Sequence, residues 1–169
     1  MVELLWKILA LVLSRRPIAD YLVFRAFRTP YTDITSPDGT DVYMKRWWLF
    51  NPYVADRWGN EDPRYWWIPF SIRVHHIHRP DVDRHLHDHP WAFRSFILMG
   101  GYVEQRENGL MWRRGRGATV AVKHGEFHRI AYVDEPIGAV TLVITGRDRR
   151  QGWAFRIPSN EYIAKREVQ

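Results

Sequence analysis

Cysteine is absent from the 169 residues. No disulfide can staple the chain, and no thiolate is available as a nucleophile or metal ligand. That absence fits a cytoplasmic protein. Lysine is scarce as well: Lys7, Lys45, Lys123 and Lys165 are the only lysines among 25 basic residues. The formal net charge of +6 is therefore carried almost wholly by arginine, which makes planar two-point contacts with carboxylates and phosphates. The arginines are scattered through predicted strands and loops, so they read as a solvated surface, and nucleic acid is not an expected partner. Long hydrophobic runs are missing too. Glu3 and Lys7 interrupt the apolar N-terminus, and the uninterrupted stretch left at residues 8–13 is far short of the ~20 residues a membrane span needs. No small-residue cleavage site follows a basic start. The segment reads as an amphipathic helix packed on the domain, with a membrane-surface helix as the lesser alternative. Internal repeats, low-complexity tracts and interdomain linkers are also lacking.

Aromatic residues, by contrast, are abundant. They make up 15% of the chain and include nine tryptophans, a composition that favours strands. With 46% hydrophobic residues the chain can bury a core, and its length suits one domain. Residues 2–27 have helical spacing, broken at Pro17. Residues 29–40 read as a loop, with Pro30, Pro37 and the turn pair Asp38-Gly39. Beyond it come short runs of strand character: DVYMKRWWLF, FSIRVHHIH, FRSFILMGGYVEQRE, LMWRRGRG, TVAVK, FHRIAYV, AVTLVIT and WAFRI. Asn108-Gly109, between two of them, is a strong hairpin signal. The long segment NPYVADRWGNEDPRYWW reads as an aromatic loop laid on the rest. The pattern predicts a mainly β jelly-roll barrel with an N-terminal helical segment. The expected boundaries are residues 1–40 for the helical segment and loop, 41–158 for the barrel and 159–169 for a tail.

The histidines are the most informative feature. His75, His76, His78, His85, His87 and His89 crowd one stretch, and His124 and His128 follow. Side chains two apart on a strand point the same way, so His87 and His89 can converge on one point. Imidazole suits zinc, iron, nickel, copper and manganese.

Two motifs built on these histidines resemble those of the cupin family. HDHPWAFRSFILMGG, from His87 to Gly101, matches the first in its H-x-H and closing glycines. GATVAVKHGEFH, from Gly117 to His128, matches the second at Gly117, Gly125 and His128, with Lys123 where proline is usual. The resemblance covers about residues 70–157. It implies a metal on His87, His89 and His128, with His85 as a substitute ligand on the same strand face. The usual glutamate is missing: Phe93 and Arg94 stand at its expected spacing. Three histidines without a carboxylate resemble the site of the thiol dioxygenases of the cupin superfamily, which implies Fe(II) first, with Zn, Ni or Mn as alternatives. The resemblance also extends to small uncharacterised cupins of bacteria and phages, and it implies a homodimer.

Three neutral ligands leave the metal its full charge and open positions for an anionic small-molecule substrate and O2. Tyr102 and Arg94 are the candidate catalytic residues, and Arg73 and Tyr132 are further candidates for substrate recognition. His76 and His78 share a strand face and are candidates for substrate or supporting contacts. Asp88 should point outward and fix a loop, with Arg84 as a partner. The alternatives are a metal-free cupin acting on a sugar nucleotide, like the dTDP-sugar epimerases, and a non-enzymatic binding module.

Overall fold

The computed structural model describes residues 1–36, 38–81 and 85–156, and the backbone of residues 162–165. Two helices open the chain, α1 (Val2–Leu13) and α2 (Arg16–Ala26). Thirteen strands follow: β1 (Pro30–Thr35), β2 (Val42–Phe50), β3 (Tyr53–Ala55), β4 (Glu61–Pro63), β5 (Ser71–Ile77), β6 (Leu86–His87), β7 (Phe93–Arg106), β8 (Met111–Gly115), β9 (Thr119–Val122), β10 (His128–Val133), β11 (Ala139–Thr145), β12 (Trp153–Arg156) and β13 (Tyr162–Lys165). The hydrogen-bonded order is β1-β2-β5-β11-β7-β10-β6-β12-β13, with β8 and β9 also paired to β7. This is the mainly β, curled antiparallel architecture expected of a jelly roll.

Strand β7 turns the corner between the two walls. Its first half pairs with β11 and β9, and its second half with β10 and β8. Gly100 sits at the bend with φ +64°, and a Cβ there would lie 1.9 Å from the carbonyl oxygen of Gly138. Only glycine allows so close an approach with that backbone.

Both faces of the β2-β5-β11-β7 wall are covered. On the outer face the helices bury Val74, Phe96, Val140 and Leu142 against Ala10, Ala19 and Ala26, whose small side chains let the helices sit close to the sheet. Trp6 of α1 meets Phe96 with ring centroids 6.0 Å apart. Pro17 lies in the first turn of α2, where its missing N–H leaves no carbonyl unsatisfied. The guanidinium of Arg116 donates to the Ser14 carbonyl at the C-terminal end of α1, a favourable place for a cation. Among the described residues, no helix is long and apolar enough to cross a membrane.

Three expectations need correction. The loop foreseen at residues 29–40 contains β1, which pairs with β2. The aromatic loop contains the β3–β4 hairpin; within it Tyr53 stacks on Trp48 at 5.2 Å, while Trp58, Trp66 and Trp67 are exposed. Part of the presumed tail is β13, whose backbone pairs with β12.

Candidate metal centre

His87 and His128 face each other as register partners on β6 and β10. His89 follows in the loop after β6. The three rings bring one nitrogen each to within 4.8 Å of one another, and His89 Nε2 lies 2.8 Å from His128 Nε2. Strand alternation is not what aims His89, because β6 ends at His87. Asp88 fixes that loop instead. Its backbone N–H donates to the Ala154 carbonyl, and its carboxylate accepts from the Ala154 N–H at 2.8 Å. Arg84, its expected partner, lies outside the described residues.

Hydrogen bonding sets the tautomers of two rings. The Nδ1 of His87 meets the carbonyl oxygen of His85 at 3.2 Å, and the Nδ1 of His128 meets Glu104 Oε1 at 3.1 Å. A carbonyl and an ionised carboxylate can only accept, so each Nδ1 is the donor, and Nε2 is the ring atom a metal would take. His89 is held well below the usual imidazole range, first by burial and then by the neighbouring His128 and His87. It is therefore neutral at neutral pH, as a ligand must be.

Glu104 was not singled out in the sequence, yet it anchors this arrangement. It is fully buried, at 0% exposure. Arg106 approaches its Oε1 at 2.8 Å, while Arg114 donates to its Oε2 from Nε at 3.0 Å and from its terminal nitrogen at 2.8 Å. Burial alone would raise its pKa. The hydrogen bond from His128, with Arg106 and Arg114, outweighs that and holds the carboxyl below its ordinary value. A carboxylate behind the outer nitrogen of a histidine is the support that metal-ligating imidazoles commonly have. The donor set thus fits a divalent transition metal: three imidazole nitrogens converge, and two of the rings have their far side tied.

The site opens into a cavity of about 90 Å³. Phe93, at the sequence position of the usual glutamate, puts its ring 4.8 Å from that of His89 and 5.6 Å from that of His128. It therefore contributes an apolar wall. Trp153 closes on His89 at 4.4 Å. Tyr102 also lines the cavity, and its hydroxyl is pushed above the usual phenol range, first by burial and then by Glu104. It stays protonated and can donate.

The other expected site residues fall elsewhere. His85 is exposed and outside the three-histidine group; only its backbone carbonyl serves the site. Arg94 points to the helix side of the sheet, where it pairs with Glu3 at 2.6 Å and lies over Trp6. It does not line the cavity. Tyr132 is 64% exposed. His76 partners the Ile137 carbonyl at 2.8 Å, and neither it nor His78 lines the cavity. The inward face of β5 carries Arg73, His75 and Ile77 instead. Arg113, Arg114 and Arg116 are bound to Asp134, Glu104 and the Ser14 carbonyl, so this basic strand is internally partnered.

No protein-family model matches the chain, and no curated protein matches it either. Solved structures do. The chain superposes on the DMSP lyase DddQ from Ruegeria pomeroyi DSS-3 with a TM-score of 0.57 and 18% identity, over 86% of this chain and 70% of that one. The Clostridium difficile EutQ protein gives 0.47 and 9%, over 70% and 77% of the two chains. The polyketide cyclase RemF from Streptomyces resistomycificus gives 0.44 and 17%, over 64% and 68%. At these identities the likeness is one of fold alone. With the strand order and the three inward histidines, the first of these matches identifies the fold of this chain as the cupin fold.

Proposed function

We propose that the chain is a metal-binding cupin in which His87, His89 and His128 hold one divalent cation, and that it acts on a small anionic molecule as an Fe(II) dioxygenase of the three-histidine type. The observation that carries the metal reading is the pairing of His128 Nδ1 with the buried Glu104, which leaves Nε2 facing the other two rings. Bound Fe(II) would supply a Lewis-acidic, redox-active centre with positions left open by only three protein ligands. Around it, Phe93 and Trp153 exclude water, and Tyr102 donates a hydrogen bond to the bound molecule. A cavity of about 90 Å³ favours a molecule of few heavy atoms over a sugar nucleotide. Zn on the same rings would instead favour non-redox chemistry.

The test is elemental analysis of untagged protein purified without chelator, beside a His87→Ala/His89→Ala variant. About one equivalent of metal in the wild type, absent from a still-folded variant, supports the site. Iron would support oxygen chemistry. A wild type that takes up no metal, even after anaerobic addition of Fe(II), rules the reading out.

A further inference from the structure

Opposite the three histidines, the cavity wall carries polar atoms that the fold leaves unused. Arg73 is only 2% exposed, yet among the described residues its Nε has no hydrogen-bond partner. The same is true of His75 Nε2 and Thr145 Oγ1. All three residues line the cavity. They come from adjacent strands. Arg73 and His75 share the inner face of β5, and Thr145 lies on β11 diagonal to Arg73, whose register partner is Val143. A fourth orphan, Asp81 Oδ1, is an acceptor; the other oxygen of that carboxylate is taken by the Ile130 N–H.

Among the described residues, Arg73 forms no ion pair. Its guanidinium lies over the rings of Trp48 at 4.3 Å, Trp91 at 4.8 Å, Tyr31 at 5.4 Å and Tyr53 at 5.5 Å. These faces stabilise the cation and fix its plane, but they accept no N–H in the way a carboxylate does. Burial lowers its pKa, and the acidic groups that act on it, Asp148 and Glu61, lie in an outer recess of about 370 Å³ without forming an ion pair with it among the described residues. Arg73, Trp91 and Trp153 line both the inner cavity and this recess. Arg73 thus stands where an entering molecule passes from one to the other. A buried cation and two unpaired polar groups facing one small space are costly unless something with lone pairs fills it.

We infer that Arg73, with His75 and Thr145, forms a carboxylate-binding subsite on the wall facing the three histidines, and that the natural ligand is a small carboxylic acid. Flat and bearing two oxygens, a carboxylate matches the free Nε edge of a guanidinium whose plane the aromatic rings have fixed. The Thr145 hydroxyl donates to the same group, and neutral His75 does so in its Nε2–H tautomer. This deepens the proposed function by naming the ligand class. It rests on that reading only for the reaction at the ligand's other end, since the subsite needs no metal.

The experiment titrates the metal-free protein, in chelator, with acetate and propionate. Calorimetry and tryptophan fluorescence are the readouts, because Trp48 and Trp91 pack on Arg73. Saturable binding is expected, with at least tenfold weaker binding of acetamide and of inorganic phosphate. Arg73→Met should lose at least tenfold in acetate affinity, while its metal content stays that of the wild type. Thr145→Val, the milder variant, should lose several-fold and serves if Arg73→Met does not fold. Equal binding of acetate and acetamide, preference for phosphate, or wild-type acetate affinity in a folded Arg73→Met would overturn the subsite. Acetate binding in a protein that takes up no metal would sink the metal reading and leave the subsite standing.

Discussion

The Nδ1 of His128 lies 3.1 Å from Oε1 of Glu104, and that carboxylate is itself gripped by Arg106 and Arg114. A change at Glu104 should therefore be felt in two separable ways. Glu104→Gln keeps an acceptor for the ring but removes the charge, and it should weaken metal binding about 10- to 100-fold in a chelator competition. Glu104→Ala removes the carboxylate shared by two half-buried arginines and should cost about 1–3 kcal/mol in urea unfolding of the metal-free protein. Unchanged metal affinity in Glu104→Gln would mean that the carboxylate serves folding alone.

Acid should loosen the metal-free fold through His75. Burial first, then Arg73 and Arg46, hold its folded pKa well below the usual value of about 6.5. The unfolded chain takes up that proton as the pH falls below about 6.5 while the folded chain does not. Stability is thus fully present above that pH and declines below it, by at most about 1.4 kcal/mol per pH unit for this one group. Unfolding curves between pH 8 and pH 5 should show the decline, and His75→Phe should make it shallower, leaving the share of His89. A variant with the wild-type slope would assign the proton uptake to other groups.

Arg94 should prove a docking residue. Its partner Glu3 is largely solvent-exposed, so the pair is worth no more than about 1 kcal/mol. Arg94→Gln should lower the melting temperature slightly and leave metal stoichiometry and acetate affinity at wild-type values. Loss of either at full folding would restore Arg94 to the site.

Two glycines of similar backbone should respond very differently to alanine. At Gly109 the new methyl meets nothing within 4 Å, so only the positive φ counts, at about 1–2 kcal/mol. At Gly100 the methyl would strike the Gly138 carbonyl, and the loss should exceed about 3 kcal/mol or prevent folding. Denaturant midpoints of the two variants make the comparison.

Much of this was readable in the residues. The resemblance carried by the two histidine motifs named His87, His89 and His128, the three rings that meet, and Asn108-Gly109 marked the turn between β7 and β8. What escaped was strand phase. With both faces of β5 and β7 covered, alternation does not say which side is the cavity. So His76 and His78 stood out where His75 lines the cavity, and Arg94 where its neighbour Phe93 does. Glu104 was hidden by the bulge at Leu98, between Ile97 and Met99, which resets the phase of β7. The one available signal was Tyr102-x-Glu104, two residues apart on the strand that follows the glycines.

That wall is one sheet thick, and it separates two interiors of opposite character. Along β11, Val140, Leu142 and Ile144 face the helices, while Thr141, Val143 and Thr145 face the cavity. Inserting or deleting a single residue within the strand would exchange the two sets, setting threonines against the alanines of the helices and branched aliphatics against Arg73. Length changes in this part of the chain are therefore confined to the turns, and the strands that divide dry from charged can vary only by substitution.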